Sequence, residues 1–292
     1  MAAPPHLDLT DPGTLISLLR RYGFSTRKRL GQHFLLSRGT LQAIIAACEL
    51  SSGLPVLEIG PGIGTVTREL AEEGARVTAV EIDARAVEVL RETVGDFPTV
   101  TIEQADIMTI NLTALLAGAR WNVVGNLPYY ITTPVIARMI EVIEQIELMV
   151  FMVQREVADR LLAAPGSKSY GSLSVFVQVY TTVERIARVA PGAFLPPPSV
   201  ESAVVRLTVR PEPLVPPALR DTFFQVVRAA FGQRRKTLEN ALAGGGILGG
   251  ERLAVTAALH AADIIPSRRG ETLSIAEFQR VAKVVSDIEE VR

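Results

Sequence analysis

Cysteine is nearly missing from this chain: Cys48 stands alone among 292 residues, so no disulfide framework can form. Histidine is almost as scarce, and His6, His33 and His260 are too scattered to hold zinc, so no metal is expected. No apolar run reaches the roughly 18 residues needed to span a bilayer. The opening MAAPPHLDLTDPG lacks the charged and apolar regions of a secretory signal. These absences point to a reducing compartment and a cytoplasmic protein. Charge of one sign is also wanting: a net charge of -1 and a pI near 6.4 exclude a protein that coats nucleic acid without selection. What the chain has in quantity is apolar residues, 48%, enough for one large domain or two unequal ones.

Its positive charge is clustered. Between Arg20 and Arg38 lie six basic residues (Arg20, Arg21, Arg27, Lys28, Arg29 and Arg38) and no acid. The triplet Arg234, Arg235, Lys236 and the pair Arg268, Arg269 follow later. Each cluster is a candidate for phosphate contact, and equally a candidate for solvated surface.

Asp11-Pro12 before LISLLRRYG predicts a capped helix stopped at Gly23, and Ser37 opens another with Cys48 on its apolar face. From Pro55 the pattern alternates: VLEIG as strand, a glycine turn, helix TVTRELAEEG, strand RVTAVEI, and a helix capped by Asp83. VTIEQ, WNVVGN, a helix entered at Thr133-Pro134, strand IELMVFMV and a helix around EVADRLL continue it. VERIARVA and ESAVVRLTVR then read as an antiparallel pair joined by a proline-rich loop. The expected fold is α/β, with about seven strands in a doubly wound sheet. Four prolines between Pro211 and Pro217 mark a boundary. Beyond it DTFFQVVRAAF, RRKTLENALA, ERLAVTAALHAA and a last helix opened by the capping box Ser274 to Glu277 predict a small helical domain. The expected domains are therefore 1–210, with a basic helical extension over 1–50, and 211–292.

The loop Gly60-Pro61-Gly62-Ile63-Gly64 lies where the first strand feeds the first helix, the nucleotide-binding position of a wound sheet. Twenty-one residues after Gly60, Glu81 ends the second strand, where a carboxylate can accept both ribose hydroxyls. A dinucleotide fingerprint requires a small residue at its sixth position, yet counting from Gly60 or Gly62 gives Thr65 or Thr67. A methyl donor without pyrophosphate makes no such demand, and Asp106 after the third strand can meet its adenine.

Asn126-Leu127-Pro128-Tyr129 follows the fourth strand at the same sheet edge. An adenine amine is a poor nucleophile because its lone pair is delocalised. Acceptors on its two hydrogens, the Asn126 side chain and a main-chain carbonyl such as that of Leu127 held by Pro128, would turn that pair toward a methyl carbon. Tyr129 could stack on a flipped base. Phe194 could form the other face of that sandwich, or be a core residue under the loop.

With these residues in place, the chain resembles the ribosomal RNA adenine dimethylase family, and within it the bacterial small-subunit branch. The likeness runs from about Arg27 to Phe278 through KRLGQHFL, the glycine loop, VEID, QADI, NLPYYIT, FMVQREVADRL, YGSLSVFVQ, FLPPPSVESAVVRL and AFGQRRKTLENAL. The resemblance implies a Rossmann-like class I fold. It implies S-adenosylmethionine held by His33, Leu35, Gly60, Glu81, Asp106 and Asn126, and catalysis by Asn126, Leu127, Pro128, Tyr129 and Phe194. The implied substrate is two adjacent adenosines in the 3′-terminal hairpin loop of small-subunit ribosomal RNA, each dimethylated, within an immature subunit. Arg27, Lys28, Arg29, Arg234, Arg235 and Lys236 would grip RNA, and a monomer is expected. A large-subunit adenine methylase of the antibiotic-resistance type and a pure assembly factor are the alternatives.

Overall fold

The computed structural model describes residues 7–23 and 33–290, so Arg27, Lys28 and Arg29 lie outside the described residues. Nine strands are described: β1 (Phe34–Leu35), β2 (Val56–Ile59), β3 (Val77–Glu81), β4 (Val100–Gln104), β5 (Trp121–Asn126), β6 (Ile146–Gln154), β7 (Thr181–Val189), β8 (Phe194–Leu195) and β9 (Ser202–Val209). Seven of them form one sheet in the order β4-β3-β2-β5-β6-β9-β7. The β2–β3, β3–β4, β2–β5 and β5–β6 pairs are parallel, and β9 runs antiparallel to β6. The chain's last strand thus enters between β6 and β7. The seven-stranded α/β expectation agrees with this sheet. β1 and β8, only two residues each, pair antiparallel in a separate ribbon too short to leave a sequence signal.

Every residue of β2 is buried, as expected for a central parallel strand covered on both faces. Helices α1 (Pro12–Arg21), α2 (Arg38–Ala47), α3 (Thr65–Glu72), α4 (Ala84–Val94), α5 (Leu112–Leu115), α6 (Thr132–Glu141) and α7 (Arg155–Leu161) follow. The caps read from sequence are formed. Asp11 accepts from Thr14 N at 2.7 Å, Ser37 from Thr40 N at 3.2 Å, and Asp83 from Arg85 N at 3.1 Å. Leu41 and Ile44 of α2, Leu70 of α3 and Leu90 of α4 pack with Val56, Val77 and Val124 of the sheet into the main core, where Cys48 is fully buried. Leu15, Leu18 and Leu19 of α1 form a second cluster with Phe34, Ile63 and Val89.

Two compact units emerge, one within Met1–Ala158 and Val183–Val209, the other within Asp159–Thr182 and Arg210–Arg292. The expected single cut after residue 210 therefore needs correction, because 159–182 groups with the helical part. Its helix α8 (Ser172–Tyr180) sets Phe176 and Tyr180 against Phe224 of α9 (Arg220–Gly232), with ring centroids 5.6 and 6.3 Å apart. The unit continues with α10 (Leu238–Gly244), α11 (Arg252–Ala261) and α12 (Ile275–Glu290). A second correction concerns α10: it starts at Leu238, so Arg234, Arg235 and Lys236 lie before the helix and not on it. Among the described residues no helix is long and apolar enough to cross a membrane.

Candidate active site

In a wound sheet the strand order reverses beside the first strand, and a crevice opens at the carboxyl ends there. Here β2 lies between β3 and β5, and a cavity of about 250 Å³ opens at those ends. His33, Leu35, Gly60, Glu81, Asp106 and Asn126 all line it, as do Glu58, Ile82, Met108, Pro128 and Tyr130.

The glycine loop forms the floor. Gly60, Gly62 and Gly64 have φ of +67°, +58° and +92°. At Gly64 a Cβ would come within 2.8 Å of Leu90 and 2.9 Å of the Thr93 hydroxyl, so both the conformation and the packing of α3 on α4 require glycine. Glu81, 5% exposed, accepts Gly62 N–H on Oε2 at 3.0 Å and Asp83 N–H on Oε1 at 2.9 Å. Burial pushes its carboxyl up, and these main-chain donors offset part of that push. Each oxygen keeps a second lone pair for a ligand hydroxyl. Asp106 accepts Met108 N–H on Oδ1 at 2.8 Å.

The transfer end is built around Asn126. Its Nδ2 donates to the His33 carbonyl at 3.0 Å, which leaves Oδ1 as the acceptor. The preceding Gly125 is close-packed: a Cβ there would stand 2.9 Å from the Ile59 carbonyl oxygen and 2.9 Å from Leu127 Cδ2. Leu127 is buried, and its N–H donates to the Met152 carbonyl at 3.2 Å. The Pro128 carbonyl is occupied by Ile131 N–H at 3.1 Å, whereas no hydrogen bond among the described residues ends on that of Leu127. His33 donates from Nδ1 to the Pro196 carbonyl, 2.7 Å away, and Tyr129 stacks beside its ring at 5.8 Å and 26°. The Tyr129 hydroxyl lies 2.7 Å from Ser202 Oγ.

Phe194 is 3% exposed, does not line the cavity, and meets His33 edge-on at 6.4 Å. Of the two readings left open for it, the structure places it under the site as a core residue. Tyr130, which the sequence reading passed over, is 62% exposed on the cavity wall, as is Ile82 at 58%. Glu58 was also missed. It is 2% exposed, its Oε2 has no hydrogen-bond partner, and burial pushes its carboxyl up to about 8. The Thr67 hydroxyl lowers that value, and the charge of Glu81 raises it further.

Among the described residues, the lining holds three acids, Glu58, Glu81 and Asp106, and neither lysine nor arginine. A pyrophosphate would find no countercharge among them. A cationic sulfonium with a ribose and an adenine fits, since Glu81 and Asp106 offer free acceptors where those groups would lie.

In the second unit the basic triplet divides. Arg234 Nη2 donates to the carbonyls of Lys168 and Tyr170, both at 3.1 Å, and pairs with Glu271 at 3.2 Å. The side chains of Arg235 and Lys236 are exposed, with no ion pair among the described residues. Arg268 is likewise tied down, to Glu277 and Thr272, while Arg269 is exposed.

The chain is similar to known proteins over most of its length. Residues 23–286 match the family model "Ribosomal RNA adenine dimethylase". The chain is 44% identical over 286 residues to the ribosomal RNA small subunit methyltransferase A of Geobacillus thermodenitrificans, covering 96% of this chain and 98% of that one. With the protein of the same name from Alkaliphilus metalliredigens it shares 40% over 282 residues, covering 95% and 98%. Among solved structures, the 23S rRNA methyltransferase ErmE superposes with a TM-score of 0.68 at 29% identity, covering 86% of this chain and 99% of that one. A dimethyladenosine transferase from Plasmodium falciparum has the same fold, with a TM-score of 0.70 at 22% identity over 85% and 95% of the two chains.

Proposed function

The chain belongs to the ribosomal RNA adenine dimethylase family, and on that premise we propose that it dimethylates N6 of two adjacent adenosines in the 3′-terminal hairpin loop of small-subunit ribosomal RNA. Relatives named for the small subunit, at 40% and 44% identity, favour that RNA over the large-subunit RNA acted on by ErmE. S-adenosylmethionine supplies a methyl group made electrophilic by its sulfonium.

The observation that carries the reading is the orientation of Asn126. Because Nδ2 is committed to the His33 carbonyl, Oδ1 accepts one hydrogen of the target amine, and the Leu127 carbonyl accepts the other. The nitrogen lone pair is thereby turned toward the donor cavity. Tyr129, held by Ser202 and backed by His33, offers its free face to the extruded base. Pro128 fixes the loop, and Phe194 supports His33 from below. No strong base is required, since the amine becomes acidic as its new carbon bond forms. In-line positioning of this kind can contribute about 7–11 kcal/mol.

His33, Leu35, Gly60, Glu81, Asp106 and Asn126 hold the donor. In the second unit Arg235 and Lys236 contact phosphates while Arg234 braces the turn that presents them; Arg27, Lys28 and Arg29 add further contacts. The enzyme acts as a cytoplasmic monomer on immature subunits. Incubation with labelled donor and unmethylated small subunits, followed by RNA digestion, should yield dimethyladenosine. Glu81→Ala and Asn126→Ala should abolish it. Label on large-subunit RNA alone would overturn the substrate assignment.

A further inference from the structure

Glu58 has no part in the chemistry just described, yet its surroundings are unusual for a carboxyl. It lies in the middle of β2, whose four residues are all buried, and it contributes to the wall of the donor cavity. Its Oε2 is buried with no well-formed hydrogen bond ending on it, and the buried Thr67 hydroxyl on α3 beside it eases the charged form without neutralising it. An orphaned buried carboxyl costs stability unless it is neutral or meets a cation.

Among the described residues, the groups set against Glu58 supply no positive charge. From α3 comes Thr67, from the end of β3 Glu81, and from the end of α2 the thiol of Cys48, which burial keeps protonated. His33 and Asp106 face the same cavity from the segment before β1 and the turn after β4, His33 with Nδ1 engaged by the Pro196 carbonyl. The neighbouring strand β5 pairs Val124 with Glu58 and brings no charge.

Resting on the donor site proposed above, we infer that Glu58 is a proton-coupled receptor for the cationic part of the methyl donor: neutral in the free protein, it ionises as the donor binds. The carboxyl O–H bond breaks, the electron pair stays on the carboxylate, and the proton passes to solvent. The countercharge is then present only when there is a cation to receive it, and the free cavity avoids a bare buried anion. The burial that raises this carboxyl to about 8 makes the protonated form dominant at neutral pH. Glu58 acts as a positioning residue, since the reacting amine and methyl lie with Asn126.

Three ligands separate the possibilities. S-adenosylmethionine carries a sulfonium and an ammonium, S-adenosylhomocysteine an ammonium only, and 5′-methylthioadenosine neither. Titration calorimetry of the whole chain at pH 7, repeated in buffers of different ionisation enthalpy, counts the protons released. Release of most of a proton is expected with S-adenosylmethionine and none with 5′-methylthioadenosine. Release with S-adenosylhomocysteine as well would assign the ammonium as the partner, and its absence the sulfonium. Affinity for S-adenosylmethionine should also rise about tenfold per pH unit up to about 8 and then level, while that of 5′-methylthioadenosine stays flat. Glu58→Gln should bind without proton release and lose the slope. Binding without proton release, or equal release with 5′-methylthioadenosine, overturns the inference and leaves the donor site standing; no binding of S-adenosylmethionine at all overturns both.

Discussion

Asn126 owes its position to a residue without a side chain. Gly125 is pressed between the Ile59 carbonyl of β2 and Leu127, and a methyl group there would have to displace main chain that forms the cavity floor. Gly125→Ala is therefore expected to cost about 1–3 kcal/mol in stability and to lower methyl transfer at least tenfold, as a thermal melt and a turnover assay on small subunits would show. Unchanged turnover would mean that the end of β5 has slack. At this scale the sequence was informative where function is tied to spacing. Gly60, Glu81, Asp106 and Asn126 fall at strand ends, and strand ends can be counted along a string. It was uninformative where function depends on environment. Glu58 reads as one more acid until β2 is seen buried on both faces, and Arg234 reads like Arg235 until Glu271 and two carbonyls are found around it.

Elements differ in how firmly their ends are written. α12 begins with a reciprocal cap: Ser274 N–H donates to Glu277 at 2.8 Å, Glu277 N–H donates to Ser274 Oγ at 3.2 Å, and Arg268 closes on the same carboxylate. The Arg268 guanidinium, against a smaller effect of burial, holds the Glu277 carboxyl down to about 2. A depressed folded value means that the stabilisation is present above the ordinary carboxylate range and is lost as pH falls toward 2. Glu277→Gln should lower stability by about 1 kcal/mol at pH 7, with the gap to the parent narrowing below pH 4, followed by melting at both pH values. An equal gap at pH 2 would show that the carboxylate charge is irrelevant. The cap was legible because Ser-x-x-Glu is a local signal. Helix α8 was not, because SLSVFVQVY is rich in β-branched and aromatic residues and carries little of the polar periodicity that marks a surface helix. The start of α10 was misplaced for the converse reason: arginine and lysine are good helix formers, and only the extended backbone of Thr237 ends their claim.

At the scale of the molecule, near-neutral charge limits how RNA is held. With Arg234 and Arg268 consumed internally, each of Arg235 and Lys236 should account for about one phosphate contact. Arg235→Ala and Lys236→Ala should each reduce the slope of log affinity against log salt by about one, measured on small subunits; slopes equal to that of the parent would remove this turn from the interface. The sheet was foreseeable as a whole because strand, helix, strand alternation admits few windings. The composition of the units was not, since it depends on α8 finding α9 across the strands between them. That interleaving has a consequence for biosynthesis. Strand β9, the neighbour of β6, is the last strand to be made, so the apolar edge of IELMVFMV stays unpaired while residues 155–201 are translated. During the same interval α8 emerges before α9 exists. An open apolar edge invites pairing with other chains, and the nascent polypeptide is most exposed to aggregation and most in need of a chaperone in that window of its synthesis.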